Sequence, residues 1–168
     1  MAEIKSVKID GESIHFFNSA IYIYESSEGN SLQIDLIITE VALKKYQDLD
    51  NLIVEIELDD GRMINSIMHV NCVAGSLPQL NLYTELDDIQ EYKNFSIINE
   101  NDPEFPNIKK GITLEEIRKV EMPNEDIKLK LNLPIDQVEW LVKQKKAVLN
   151  ELFKEFIYDY WKKQRLQK

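Results

Sequence analysis

Leu52, Val54, Ile56 and Leu58 alternate with Ile53, Glu55 and Glu57, a period of two that predicts a strand with one buried face. Asp59-Asp60-Gly61 supplies a turn, and the pattern resumes at Ile64, Met68, Val70 and Cys72. A two-residue turn at Asp60-Gly61 would set Ile56 opposite Asn65. A three-residue loop with Gly61 left-handed sets it opposite Ile64 and gathers the apolar positions on one face. The second register is expected, and it leaves Ile53, Met63 and Ile67 as an apolar patch on the outer face.

The same reading predicts strands over 3–9 and 14–24, separated by Asp10-Gly11, and a hairpin over 20–38 that turns at Ser26–Asn30. A short helix should run from Thr39 to Leu49 with Thr39 as its cap. Leu80, Leu82, Thr84 and Leu86 mark another strand, and Phe95–Ile98 a shorter one. Asn99–Asn107, which contains Asp102-Pro103-Glu104-Phe105-Pro106, reads as an acidic loop in which Phe105 either tucks into the body or waits for a groove. In Gly111–Val120, Thr113 and Glu116 have capping-box spacing for a helix, although strand, turn, strand fits equally. Ile127, Leu129, Leu131 and Leu133 alternate with Lys128, Lys130 and Asn132 and predict a final strand. The fold class is therefore mainly β (α+β): an antiparallel β-barrel or sandwich of about seven strands with a long C-terminal α-helix. Leu52–Val120 resembles a small SH3-like barrel, with a hairpin, a following strand and a tight turn into a last short strand. That is a likeness of fold, and it carries no function.

Pro134 then opens the longest helical pattern, Ile135–Lys168. Ile135, Val138, Leu141, Val142, Leu149, Leu152, Phe153, Phe156 and Tyr160 share one broad face at about 100° per residue. As one continuous helix it would run about 50 Å, against a body roughly 35 Å across. The stripe pauses at Lys143-Gln144-Lys145-Lys146, and without glycine or proline a continuous helix is expected there rather than a break. Two domains follow: 1–134, an acidic β-barrel or sandwich, and 135–168, an amphipathic helix packed partly on the body and partly available for a partner. Trp140, Tyr158 and Trp161 miss the main stripe, and such aromatics favour interfaces.

Charge sharpens the division. Residues 1–134 hold 12 Lys or Arg against 25 Asp or Glu, a net of −13, while 135–168 hold 8 against 5, a net of +3. An acidic body repels phosphates, so direct nucleic-acid binding is not expected. No apolar run is long enough to span a membrane, and Met1–Lys5 lacks the apolar segment of a signal peptide. With Cys72 as the single cysteine, a cytoplasmic protein without membrane contact is expected.

Catalytic motifs are absent: the five glycines stand singly in turns, and neither a phosphate-binding loop nor a nucleophile elbow is present. His69 and Cys72 have tempting spacing, but residues three apart on a strand face opposite sides, so no metal site or cofactor is expected. The leading expectation is a non-enzymatic protein-protein interaction or assembly protein. It would bind another protein or a second copy of itself through Trp140, Phe153, Phe156, Tyr160 and Trp161. One alternative is an acidic inhibitor or immunity-type protein whose face of Glu55, Glu57, Asp59 and Asp60 blocks a basic or nucleic-acid-binding site of its partner. Another is a small-molecule-binding β-barrel.

Overall fold

The computed structural model describes residues 2–72, 74–102 and 105–167. The chain divides into two compact units, Met1–Asn124 and Glu125–Lys168. In the first unit the period-two segments become eight strands: β1 (Ile4–Ile9), β2 (Glu12–Ile14), β3 (Asn18–Ser26), β4 (Gly29–Ile37), β5 (Asn51–Leu58), β6 (Met63–Val70), β7 (Gln79–Leu86) and β8 (Ser96–Asn99). A single mixed sheet takes them in the order β2-β1-β5-β6-β7-β4-β3-β8. Every pair is antiparallel except β3 with β8.

The fold is thus α+β, and the sheet is not closed into a barrel, since β2 and β8 end its order. It is nevertheless strongly curled. Five strand spacings of about 4.8 Å would hold β1 and β3 roughly 24 Å apart in a flat sheet, yet their Cα atoms come within 8 Å. Leu32, Ile34, Leu36, Val54, Ile56, Leu58, Leu80 and Leu82 point into the space so enclosed and fill it together with Met68. The SH3-like likeness fails in detail, because the strands of Leu52–Val120 are joined to β1, β3 and β4 in this larger sheet.

The hairpin of β5 and β6 has the expected register, with Ile56 opposite Ile64 and Gly61 at φ +85°, where a side chain would be disfavoured. The strand read over 14–24 is interrupted between β2 and β3. Helix α1 (Glu40–Tyr46) is capped by Thr39, whose hydroxyl accepts from the Ala42 N–H. Helix α2 (Leu114–Val120) carries the full Thr113/Glu116 capping box, which settles the ambiguous segment as helix. Its Ile117 is fully buried in a second core with Ile37, Leu77 and Ile108. Arg118 of α2 forks onto Glu40 of α1 through bonds of 2.7 and 2.8 Å, and these bonds, against the opposing effect of burial and with Coulomb attraction added, hold the Glu40 carboxyl below its ordinary range.

Residues 125–134 form no strand, so the alternation from Ile127 to Leu133 does not mark one. Alternation says which face a strand would bury, but a strand needs a neighbour for its ladder, and here Ile127, Leu129 and Leu131 are exposed. The expected single C-terminal helix is two: α3 (Ile135–Val142) and α4 (Lys146–Leu166). The lysine pause is the break. Lys143 and Gln144 close the last turn of α3 by donating to the Trp140 and Leu141 carbonyls, and Lys145 is extended at ψ 139°. The Gln144 side chain donates a second bond to the Trp140 carbonyl at 3.2 Å, at a helix end where carbonyls lack onward helical partners. Of the loop expected over Asn99–Asn107, Pro103 and Glu104 lie outside the described residues, as does Lys168 at the end of the expected helix. Among the described residues no helix is long and apolar enough to cross a membrane.

Candidate interaction surfaces

Helix α4 gathers Leu149, Leu152, Phe153, Phe156 and Tyr160 at spacings of three and four, which puts them on one side of the helix. None of its residues is buried, and Phe156 and Tyr160 are 66% and 67% exposed. The end of the helix has a different character. Arg165 lies 4.3 Å over the Trp161 ring and Lys162 lies 5.7 Å over that of Tyr158, while the two rings themselves are 6.3 Å apart. Lys162, Lys163 and Arg165 also sit where the helix dipole presents its negative end, which favours cations there. Phe153, Phe156 and Tyr160 therefore share one side of α4, while Trp161 keeps company with Tyr158 and Arg165. Trp140 is exposed on α3, on the other side of the break.

The four carboxylates of the proposed acidic face are mostly occupied. Lys5 donates to Glu57 at 2.6 Å, with the Ser6 hydroxyl at 3.2 Å, and Lys5 foremost keeps the Glu57 carboxyl below its usual range. Lys8 lies 4.0 Å from Glu55. In the turn, Asp60 accepts from the Arg62 backbone at 3.0 Å and from its guanidinium at 2.7 Å, and the backbone bond is the main cause of its lowered pKa. Asp59 ties the turn to the strand start by donating its N–H to the Glu3 carbonyl. Cross-strand pairing thus interrupts the negative field that a decoy for a basic site would present.

His69 rests against the Tyr83 ring at 5.1 Å, whereas Cys72 packs on the main core, and burial above all pushes its thiol pKa up. Among the described residues no group of three His, Cys, Asp or Glu is placed to hold a metal ion.

Sequence reasoning missed a polar network on the outer face of β3, β4 and β7. Asp35 is buried, receives the Tyr22 hydroxyl at 3.2 Å and is bonded by the Asn81 amide. Burial raises the pKa of both Asp35 and Tyr22, in Tyr22 reinforced by the Asp35 charge. The only signal for it was register: Ala20, Asp35 and Asn81 are cross-strand neighbours, which a single strand's alternation cannot show. Beside this network Phe105 packs on Tyr22 and Tyr24 with centroids 6.4 and 6.0 Å away, yet stays 53% exposed. It borders a cleft of about 830 Å³ at the gap between β1 and β3, floored by Phe16, Phe17 and Ile98. Among the described residues of its lining, Glu3 and Tyr22 are the titratable groups, and the Tyr22 hydroxyl is committed to Asp35. The cleft can take an apolar side chain.

Comparison with known proteins adds no constraint on this reading. The chain matches no family model, no curated protein and no solved structure. What the molecule does has to be argued from its own surfaces.

Proposed function

We propose that this chain is a non-enzymatic assembly protein whose α4 docks onto another protein, with the curled, barrel-like sheet as its scaffold. The observation that carries the reading is that a 21-residue helix presents Leu152, Phe153, Phe156 and Tyr160 along one face and buries none of its residues. An isolated helix of this length draws little stability from its own hydrogen bonds, and most helices in proteins depend on packing of the apolar face. The partner fitted to it has an apolar groove edged with carboxylates. Residues 125–168 hold 10 Lys or Arg against 7 Asp or Glu, a net of +3, and α4 ends on Lys162, Lys163 and Arg165. Pairing α4 with itself would set these against each other in a parallel arrangement, or against Lys145 and Lys146 in an antiparallel one. Like charges facing at close range are disfavoured, so the groove belongs to a different protein. The single cysteine, Cys72, supports placing this activity in the cytoplasm.

The test is capture by the intact chain, repeated with Phe156→Ala plus Tyr160→Ala and with Lys162→Glu plus Lys163→Glu. Buried aromatic anchors contribute about 2 kcal/mol or more each, so the first pair should weaken a true partner by a factor of roughly several hundred or more. The charge pair should weaken it less and make binding less sensitive to salt. A partner retained equally by all three chains would refute the helix as the docking element.

A further inference from the structure

Strand β6 has a free side. It pairs with β5 along its length, from Met63 to His69, but among the described residues it meets β7 only at His69↔Tyr83 and Val70↔Leu82. Polar groups of the main chain point alternately to the two sides of a strand. The Arg62 carbonyl accepts from Leu58 and the Val70 N–H donates to Asp50, both on the β5 side, whereas the Asn71 N–H donates to Asn81 on the β7 side. The N–H and C=O of Met63, Asn65 and Ile67 accordingly point away from β5, where no described strand completes the ladder. All three residues are exposed. Natural sheets blunt such an edge with lysine, proline or a bulge, and here none of these is present.

The sequence around this edge is unusual in the same direction. From Met63 to Thr84 there is no Asp, Glu, Lys or Arg, in a chain that is 30% charged. Residues 1–124 hold 10 basic against 23 acidic residues, a net of −13. Two such units repel one another least at a surface without net charge, and beside this edge the Glu57 opposite Met63 and the Glu55 opposite Asn65 are met by Lys5 and Lys8.

We propose that the β6 edge is a two-fold interface between copies of this chain, in which β6 pairs antiparallel with its counterpart about an axis at Asn65. That register sets Met63 opposite Ile67 of the other copy, Asn65 opposite Asn65, and Ile67 opposite Met63. Each of these pairs exchanges both main-chain hydrogen bonds. Apolar side chains meet apolar ones, the two amides can bond each other, and Ile53, which lies opposite Ile67 in its own hairpin, extends the apolar strip on both sides of the axis. A closed two-fold of this kind uses up the free side and leaves no further edge at β6 for a third copy. Strand β6 and α4 belong to different units of the chain, and substitutions confined to β6 test this proposal apart from the helix reading.

Sedimentation equilibrium of the full-length chain over a concentration series should show a reversible dimer. Asn65→Pro removes the central N–H at an edge position where proline is compatible with the fold, and should abolish the dimer while circular dichroism stays unchanged. Ile67→Lys and Met63→Glu should each raise the dissociation constant about tenfold or more. Mixed together, chains carrying Ile67→Lys and chains carrying Met63→Glu should recover a dimer, because the two charges then face each other across the axis while the second pair stays apolar. That recovery is specific to the antiparallel register. A wild-type chain that stays monomeric up to millimolar concentration overturns the proposal. So does a dimer that survives Asn65→Pro, or one that is broken by Phe156→Ala plus Tyr160→Ala and not by the β6 substitutions.

Discussion

Ile34 in the body is fully buried, whereas Phe156 in α4, larger and no less apolar, keeps 66% of its surface exposed. The contrast holds throughout the two units. Strands β4, β5 and β7 and helix α2 each hide their apolar face in one of two cores, while none of the described residues from 125 to 167 is buried. Residues that hold a fold together are difficult to replace and hidden from partners. Those of α4 are the reverse, so the same amphipathic pattern serves stability in the first unit and, under the function proposed above, would serve recognition in the second.

The largest expected difference between the units is in amide exchange. Amides of β4 and β7 should exchange only through global opening, and those of α4 faster by several orders of magnitude; equal protection in mass-spectrometric exchange would break the comparison. Next comes truncation. Ile34→Ala should cost about 2–5 kcal/mol in denaturant unfolding, and Phe156→Ala within about 0.5 kcal/mol. A large loss from Phe156→Ala would show that α4 contributes to the fold.

The buried Asp35 should behave oppositely to a core residue. Its folded pKa is raised above the ordinary carboxylate value, chiefly by burial, so its contribution to stability is fully present below that ordinary value and is lost as the pH rises through the folded one. Asp35→Asn should flatten that dependence and stabilise the protein by about 1 kcal/mol at pH 7. Urea unfolding at several pH values reads this directly, and a parallel pH profile for the variant would contradict it. An effect of similar size should come from Thr113→Ala, which removes one side of the α2 capping box and should cost about 1 kcal/mol. It should move the unfolding midpoint of the body without altering the far-ultraviolet signal of the tail.

The parts of the fold that were legible in sequence are those fixed by neighbours close along the chain. The β5–β6 register follows from the need to keep Ile56 and Ile64 on one face across a turn containing Gly61, whereas the Thr113/Glu116 spacing left α2 open between helix and strand-turn-strand. Pairings between distant segments were not legible. That β8 runs parallel to β3, and that Asp35 meets Asn81, depends on which strands become neighbours, and alternation is silent on that. The pattern also overstated two elements. Ile127–Leu133 alternates without a ladder to join, and the helix read through Lys143–Lys145 ends because local backbone and Gln144 side-chain bonds satisfy its last carbonyls, a solution that needs neither proline nor glycine. For the candidate surfaces, the aromatic face of α4 was visible as a stripe, whereas the free side of β6 became visible only once the limits of its pairing with β7 were known.

The exposure of α4 also bears on how long the molecule lasts. A helix with no buried residue opens locally at little free-energy cost, and a protease cuts what is open rather than what is folded. In the free chain the tail would be the first segment cleaved, and the body would be left intact. If α4 docks as proposed, occupancy of the partner's groove would set the lifetime of the intact chain, and copies in complexes would outlast surplus ones.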